Sequence, residues 1–225
     1  HACDGRGFRP YNLVMDLPMM VSLTGRRVVI VGGGKVARRR ARAMLDAGAD
    51  VCVIAPEMDA AFSELPVSRI ERGYAVGDLE NAFLVVVATD DTAINDAVSR
   101  EARRLEILIN RTDQPELGDV TIPAHAHRGP LTVSVHTGGI SASAAADIRD
   151  QLIESVDPDM IRLLQNVAPF RQLFKQRICD AGARRRALRA ITEPAALAVL
   201  KAEGEEALQR HCQAILSDAL RQVKT

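Results

Sequence analysis

The sequence predicts an α/β protein with three parts: a parallel sheet, a β-hairpin followed by a helix, and a helical C-terminal region. Three observations carry this. A β-branched run, Val28-Val29-Ile30-Val31, stops at Gly32-Gly33-Gly34 and gives way to a helical pattern. Further short apolar runs alternate with helical stretches, as in a parallel sheet covered on both faces. From Val120 the pattern changes to alternating strands and then to an almost wholly helical remainder. The first two observations together describe a Rossmann-type sheet.

The first unit of that sheet is the most informative stretch. Gly32, Gly34 and Ala37 fit the G-x-G-x-x-G/A pattern of a dinucleotide-binding βαβ unit. Gly32 permits the tight turn, Gly34 lets the backbone approach a pyrophosphate, and Ala37 lets the helix pack closely on the strand. An anion would sit at the helix N-terminus, where unpaired N–H groups and the helix dipole favour negative charge. Apolar Val36, Ala37, Ala41, Met44 and Leu45 line one helix face, and Gly48 is its C-terminal stop.

The remaining elements follow in order. Val51-Cys52-Val53-Ile54 is the second strand. The usual fingerprint has an acidic residue there to hold the adenosine ribose, and this chain has Ala55-Pro56-Glu57. Glu57 either reaches the ribose or only starts the next turn. No arginine follows closely enough to make a pocket for a 2′-phosphate, which favours NAD over NADP. A short strand falls near residues 68–72, and a fully apolar one at 83–88. It runs into Thr89-Asp90-Asp91, which can cap the helix at 92–104 and also lie beside a cofactor. Residues 107–110 form the last buried strand. After it, Arg111-Thr112-Asp113 sits where an open α/β sheet puts its chemistry, and Asp113 is either a turn residue or a working carboxylate.

Val120-Thr121-Ile122-Pro123 and residues 131–136 read as two strands joined by residues 124–130. His125 and His127 share a strand face but have no carboxylate or cysteine beside them. They read as exposed hairpin histidines rather than metal ligands. Ser141 caps the following helix. Pro158 opens the helical remainder, where Leu163, Leu164, Val167 and Phe170 form an apolar stripe. Two more helices fall at 195–200 and 208–220, with Pro194 in the first turn of one. Arg171, Lys175, Arg177, Arg184, Arg185 and Arg186 make the segment between strongly basic, either a solvated face or a rim for an anionic substrate.

Composition excludes more than it selects. The 225 residues carry 29 basic and 29 acidic side chains, so net charge argues for neither nucleic acid nor membrane as a partner. Cys3, Cys52, Cys179 and Cys212 are scattered, with no CxxC pair, which fits a reducing cytoplasm better than a disulfide framework or a zinc site. No apolar run has the length of a membrane span. Residues 1–14 read as an extension or cloning remnant ahead of a natural start at Met15.

Taken together, the motifs resemble the precorrin-2 dehydrogenase / sirohydrochlorin ferrochelatase family, the N-terminal module of siroheme synthases. The resemblance runs through Met15-Asp16-Leu17-Pro18, Lys35-Val36-Ala37, Arg40-Ala41, Ala88-Thr89-Asp90-Asp91 and Asn110 with Asp113. It closes on Pro123-Ala124, Arg128-Gly129, Leu131, Thr137-Gly138-Gly139-Ile140-Ser141 and Arg149. The chain departs from the family pattern at Gly118 and Val120, where many members carry cysteine and phenylalanine. It departs again at His136 and Ala142.

The resemblance implies oxidation of precorrin-2 to sirohydrochlorin by hydride transfer to NAD. It implies cofactor contacts at Gly32, Gly33, Gly34, Lys35, Val36, Ala55, Pro56, Glu57, Thr89 and Asp90. Asp113 falls on the family's loop aspartate and is the expected catalytic residue, as proton acceptor or as aligner of the macrocycle. Asn110, Arg111, Thr137, Gly138, Gly139 and Ser141 are the expected contacts to the polycarboxylate tetrapyrrole. The implied organisation is an NAD-binding domain at 15–122, a dimerisation segment at 123–155 that makes a homodimer, and a helical domain at 156–225. Some members also insert ferrous iron, an activity with no sharp ligand signature. A bifunctional dehydrogenase–ferrochelatase and a non-catalytic NAD-sensing domain are the alternatives.

Overall fold

A computed structural model describes residues 16–222, so the extension at 1–14, the start at Met15 and Cys3 lie outside the described residues. The chain divides into two compact units between Ile122 and Pro123.

The first unit is built on five parallel strands. They are β1 (Arg27–Val31), β2 (Asp50–Ile54), β3 (Ser68–Ile70), β4 (Leu84–Val87) and β5 (Leu108–Arg111), in spatial order β3-β2-β1-β4-β5. Helix α1 (Lys35–Asp46) joins β1 to β2, and α2 (Thr92–Arg104) joins β4 to β5. The chain reverses its direction of travel across the sheet between β1 and β4. A crevice for ligands is expected there, outside the carboxyl ends of the strands. Strand β1 shows why the sequence reads as uninterrupted apolar. Val28 and Ile30 enter the core shared with Ala37, Ala41 and Met44 of α1, while Val29 and Val31 enter the core shared with Val98 and Ala102 of α2. Helix α1 ends as the sequence predicts, with Gly48 at φ +80°.

The second unit opens with an antiparallel hairpin, β6 (Ala124–Arg128) and β7 (Leu131–Val135), in the register Ala124↔Val135 to Arg128↔Leu131. This corrects the expected first strand at 120–123. The alternation there comes from Val120 and Ile122 packing against the first unit's core, and Val120 N–H donates to Ile109 O at 3.0 Å. The segment expected to be a loop is the strand. His125 and His127 sit on it with their rings 5.7 Å apart, edge to face. Among the described residues, no group of three or more histidine, cysteine or acidic side chains is placed to hold a metal.

Five helices follow: α3 (Ala142–Ser155), α4 (Pro158–Arg177), α5 (Ala181–Ala190), α6 (Pro194–Glu203) and α7 (Glu205–Gln222). Leu163, Val167 and Phe174 of α4 meet Ala183 and Ala187 of α5, Leu200 of α6 and Leu208 and Cys212 of α7 in one core. Leu164 and Phe170 of the expected stripe are half-buried. Of the basic segment, Arg171, Lys175 and Arg177 lie on α4 and Arg184, Arg185 and Arg186 on α5. Arg128 ties the hairpin to the end of α3, donating to Val156 O at 2.9 Å.

Candidate functional site

The three glycines after β1 divide their work sharply. Gly32 has φ +128°, and a Cβ built on it would lie 2.2 Å from Ala88 O. A Cβ on Gly33 would lie 2.0 Å from Glu57 O. Both positions are glycine because the protein's own backbone fills the space. Gly34 differs: its backbone is extended (φ −83°, ψ −173°), and a Cβ there would meet nothing within 4 Å. Gly34 is the N-cap of α1 and offers no side-chain cap, so the first-turn amides beside Lys35 and Val36 keep their donors unclaimed by a capping side chain. Val36 is 42% exposed, an apolar group left uncovered on that first turn. An open approach to uncapped amides at a helix N-terminus is the donor set a pyrophosphate needs, so these residues fit a dinucleotide.

The loop after β2 is laced to this turn. Asp59 N–H donates to Gly33 O at 2.8 Å, and Asp59 pairs with Arg38 at 3.6 Å. Ala55 is buried, while Pro56 and Glu57 are exposed. The backbone carbonyl of Glu57 is what meets the glycine turn.

After β4, Asp91 caps α2, accepting from the N–H groups of Ala93 (2.8 Å) and Ile94 (3.2 Å). Asp90 stays exposed. Thr89 turns inward: its hydroxyl donates to Asn95 Oδ1 at 2.6 Å, and its carbonyl accepts from Asn95 Nδ2 at 3.0 Å. The same Nδ2 donates to Asp113 Oδ2 at 3.0 Å. One amide on the first turn of α2 therefore joins the loops at the carboxyl ends of β4 and β5.

Asp113 is also gripped from β5. Arg111 Nε donates to Oδ1 at 2.8 Å and Nη2 to Oδ2 at 2.7 Å, a bidentate pair. Arg111 Nη1 is anchored by Asp96 and Ser99 of α2, each at 3.0 Å. The Arg111 bonds outweigh partial burial and, with the Asn95 bond, hold the Asp113 carboxyl well below the usual carboxylate range. The Arg111 guanidinium is pushed above its usual value chiefly by Asp113. The Asp113 side chain remains 25% exposed, whereas that of Arg111 is 1% exposed.

Two of the expected substrate contacts are buried. Arg111 has its nitrogens bonded to Asp113, Asp96 and Ser99 inside the protein. Asn110 is buried too, and its Nδ2 donates to Val120 O at 2.7 Å. That bond fastens the segment after β5 against the strand, while Asn110 Oδ1 is buried without a hydrogen-bond partner among the described residues. Asn95, Asp96 and Ser99 do not stand out in the sequence because they sit inside a helical pattern. The available signal was polar Asn95 and Ser99 sharing the i, i+3, i+4, i+7 face with Val98 and Ala102, the face that is buried.

In the second unit, residues 137–141 form a self-contained turn. Thr137 Oγ1 accepts from Ser141 N–H at 3.2 Å and donates to Ser141 O at 3.0 Å. Ser141 Oγ caps α3 by accepting from Ala144 N–H at 3.1 Å. Gly138 and Gly139 hold φ of +64° and +78° with open space around them. Elsewhere in this unit, Arg171 of α4 and Arg184, Arg185 and Arg189 of α5 line an open cleft of about 460 Å³ with Ala181 and Leu188.

A doubly wound parallel sheet with an open glycine turn at its switch point defines a dinucleotide-binding protein. The comparisons with known proteins narrow the class. Residues 19–124 match the family described as "Putative NAD(P)-binding". The siroheme synthase of Azotobacter vinelandii is 39% identical over 173 residues, covering 75% of this chain and 37% of that protein. The siroheme synthase of Pseudomonas putida is 36% identical over 208 residues, covering 90% and 45%. The solved structure of SirC, a precorrin-2 dehydrogenase, superposes with a TM-score of 0.72 at 26% identity over 88% of this chain and 100% of that one. The chain is thus similar to part of each siroheme synthase and to the whole of a precorrin-2 dehydrogenase. It spans less than half the length of these siroheme synthases.

Proposed function

We propose that this chain oxidises precorrin-2 to sirohydrochlorin with NAD as the oxidant, in siroheme or related tetrapyrrole synthesis. One observation carries the reading. An open, uncapped helix N-terminus at Gly34 and an ionised, partly exposed carboxylate at Asp113 stand at the carboxyl ends of strands in one sheet. The match to a precorrin-2 dehydrogenase over that protein's whole length supports the substrate. The reading includes a homodimer formed through residues 123–155, working in the cytoplasm. The thiols of Cys52, Cys179 and Cys212 are free, as a reducing compartment would leave them.

NAD, when bound, supplies the hydride acceptor. The chain's own residues bind and orient. Amides at Gly34, Lys35 and Val36 hold the pyrophosphate, and Gly33 keeps the turn closed on Glu57. Ala55, Pro56, Glu57, Thr89 and Asp90 border the rest of the cofactor's path. Asp113 meets the macrocycle. Within the second unit, the Gly138 and Gly139 amides and the arginines of the α4–α5 cleft offer donors suited to carboxylates.

The test is an anaerobic assay of precorrin-2 with NAD, following sirohydrochlorin, on the parent chain and on Asp113→Asn. The parent oxidises precorrin-2. The isosteric variant keeps its NAD affinity by calorimetry and loses roughly 100-fold in kcat. Near-parental turnover in Asp113→Asn makes the aspartate structural, and no oxidation by the parent overturns the reading. Enzyme-dependent uptake of ferrous ion by the product extends it to a bifunctional enzyme.

A further inference from the structure

A carboxylate that takes a proton during turnover needs a free lone pair and an affinity for protons near the working pH. Asp113 has neither. Both oxygens accept charge-assisted bonds from Arg111 at 2.8 and 2.7 Å, and Oδ2 accepts a third bond from Asn95 at 3.0 Å. Arg111 stays charged at any working pH, is 1% exposed, and is pinned at its far nitrogen by Asp96 and Ser99. Asn95 cannot turn over to present its oxygen instead. Its Nδ2 faces two acceptors, Thr89 O and an Asp113 oxygen, and its Oδ1 accepts from the Thr89 hydroxyl. The groups facing Asp113 are therefore Arg111 from β5 and Asn95 from α2, with Asp96 and Ser99 of α2 behind Arg111 and Thr89 of the β4 loop behind Asn95. One arginine between two aspartates leaves the cluster a net single negative charge, with its exposed share at Asp113 and Asp96.

Resting on the function proposed above, we infer that Arg111 and Asn95 are positioning residues that hold Asp113 as a fixed anion toward the macrocycle, not as its proton acceptor. Oxidation removes a hydride, two electrons with one proton, from a ring C–H bond and leaves positive charge on the macrocycle. A prepositioned carboxylate stabilises that charge without reorganising. The second proton, which the ring sheds to restore neutrality, passes to solvent water. The strongly lowered proton affinity of Asp113 accords with this geometry. Asn95 adds a link: by bonding Thr89 and Asp113 at once, it sets the distance between the loop on the cofactor side and the carboxylate on the substrate side.

The experiment is a titration of the Asp113 side-chain carbon by NMR in the full chain, its resonance identified by its loss in Asp113→Asn. In the parent the signal stays in the ionised position from pH 8 down to about pH 4, the ordinary carboxylate range. In Arg111→Gln the midpoint rises by about two units or more, and Arg111→Lys restores part of the shift. The kcat profile follows: flat for this group in the parent, with a new acid limb in Arg111→Gln. Asn95→Ala lowers kcat more than it raises the KM for NAD. A purely structural role lowers thermal stability without moving the midpoint. A parent midpoint between about pH 5 and 8 makes Asp113 a proton acceptor and overturns the inference, even if neither Arg111 variant folds. If the parent fails to oxidise precorrin-2, the function fails, while the titration still decides how Asp113 is held.

Discussion

The three consecutive glycines at 32–34 share a letter and differ in cause. Gly32 and Gly33 answer to the protein, since a methyl group on either would run into the carbonyl of Ala88 or Glu57. Gly34 answers to nothing inside the protein: its φ is open to any residue and its Cβ direction is empty. The two kinds of glycine therefore fail differently. Gly33→Ala forces the turn off the β2 loop and destabilises the fold by about 2 kcal/mol, seen as a lower Tm. Gly34→Val leaves the Tm near the parent value and abolishes NAD binding by calorimetry. Unchanged NAD affinity in Gly34→Val would show that the opening is not the pyrophosphate path. At this scale the sequence reveals residues that stand in loops, because Gly34 and Asp113 lie where a strand's apolar run ends. It hides the burial of Arg111. A basic residue beside a candidate carboxylate looks like a substrate ligand until its burial is known, and burial comes from α2, distant in sequence.

At the scale of elements, what decides legibility is whether a segment's apolar residues are large. The buried strands of the sheet stand out because Val, Ile and Leu fill both faces, and α2 has the expected bounds because Asp91 marks its start. Helix α5 is hidden because its buried face is made of Ala183 and Ala187, while Arg184, Arg185 and Arg186 dominate the segment. The hairpin strand β6 is hidden for a related reason. Its only apolar residues are Ala124 and Ala126, and the larger Val120 and Ile122 just before it mimic a strand while packing against the first unit's core. Small residues at buried positions weaken periodicity without weakening packing, so such helices lean on their caps. Asp180 Oδ1 accepts from Ala183 N–H at 2.6 Å, and no other acid lies in the first turn of α5. Asp180→Ala is expected to cost about 1 kcal/mol, read by denaturant unfolding of the full chain, with NAD affinity unchanged because that site belongs to the other unit. A loss much below that would mean α5 is held by its core contacts alone.

At the scale of the molecule, the two units finish their cores to different degrees. The first covers its sheet on both faces. In the second, α4–α7 enclose a continuous core, but the hairpin and α3 do not reach the same closure. Most of β6 and β7 is only half-buried, and α3 fully buries Ala145 alone. Ile148 and Leu152, one turn apart on α3, are 43% and 46% exposed, and Ile140 just before the helix is 68% exposed. Apolar side chains spaced i, i+4 on a helix face form a continuous stripe, and such a stripe left uncovered marks an interaction surface. The proposed homodimer through residues 123–155 puts a second copy of the same surface against it, the self-complementary arrangement a two-fold axis requires. Replacing Ile148 and Leu152 together by Asp places two like charges on that stripe and two more opposite them across the axis, while removing no buried core side chain. The double variant is therefore expected to run as a folded monomer in light scattering, with a circular dichroism spectrum like the parent's and NAD affinity within about twofold. The parent runs as a dimer at the same concentration. A parent that is monomeric, or a double variant that remains dimeric, removes α3 from the interface and sends the search to the exposed side chains of the helical bundle.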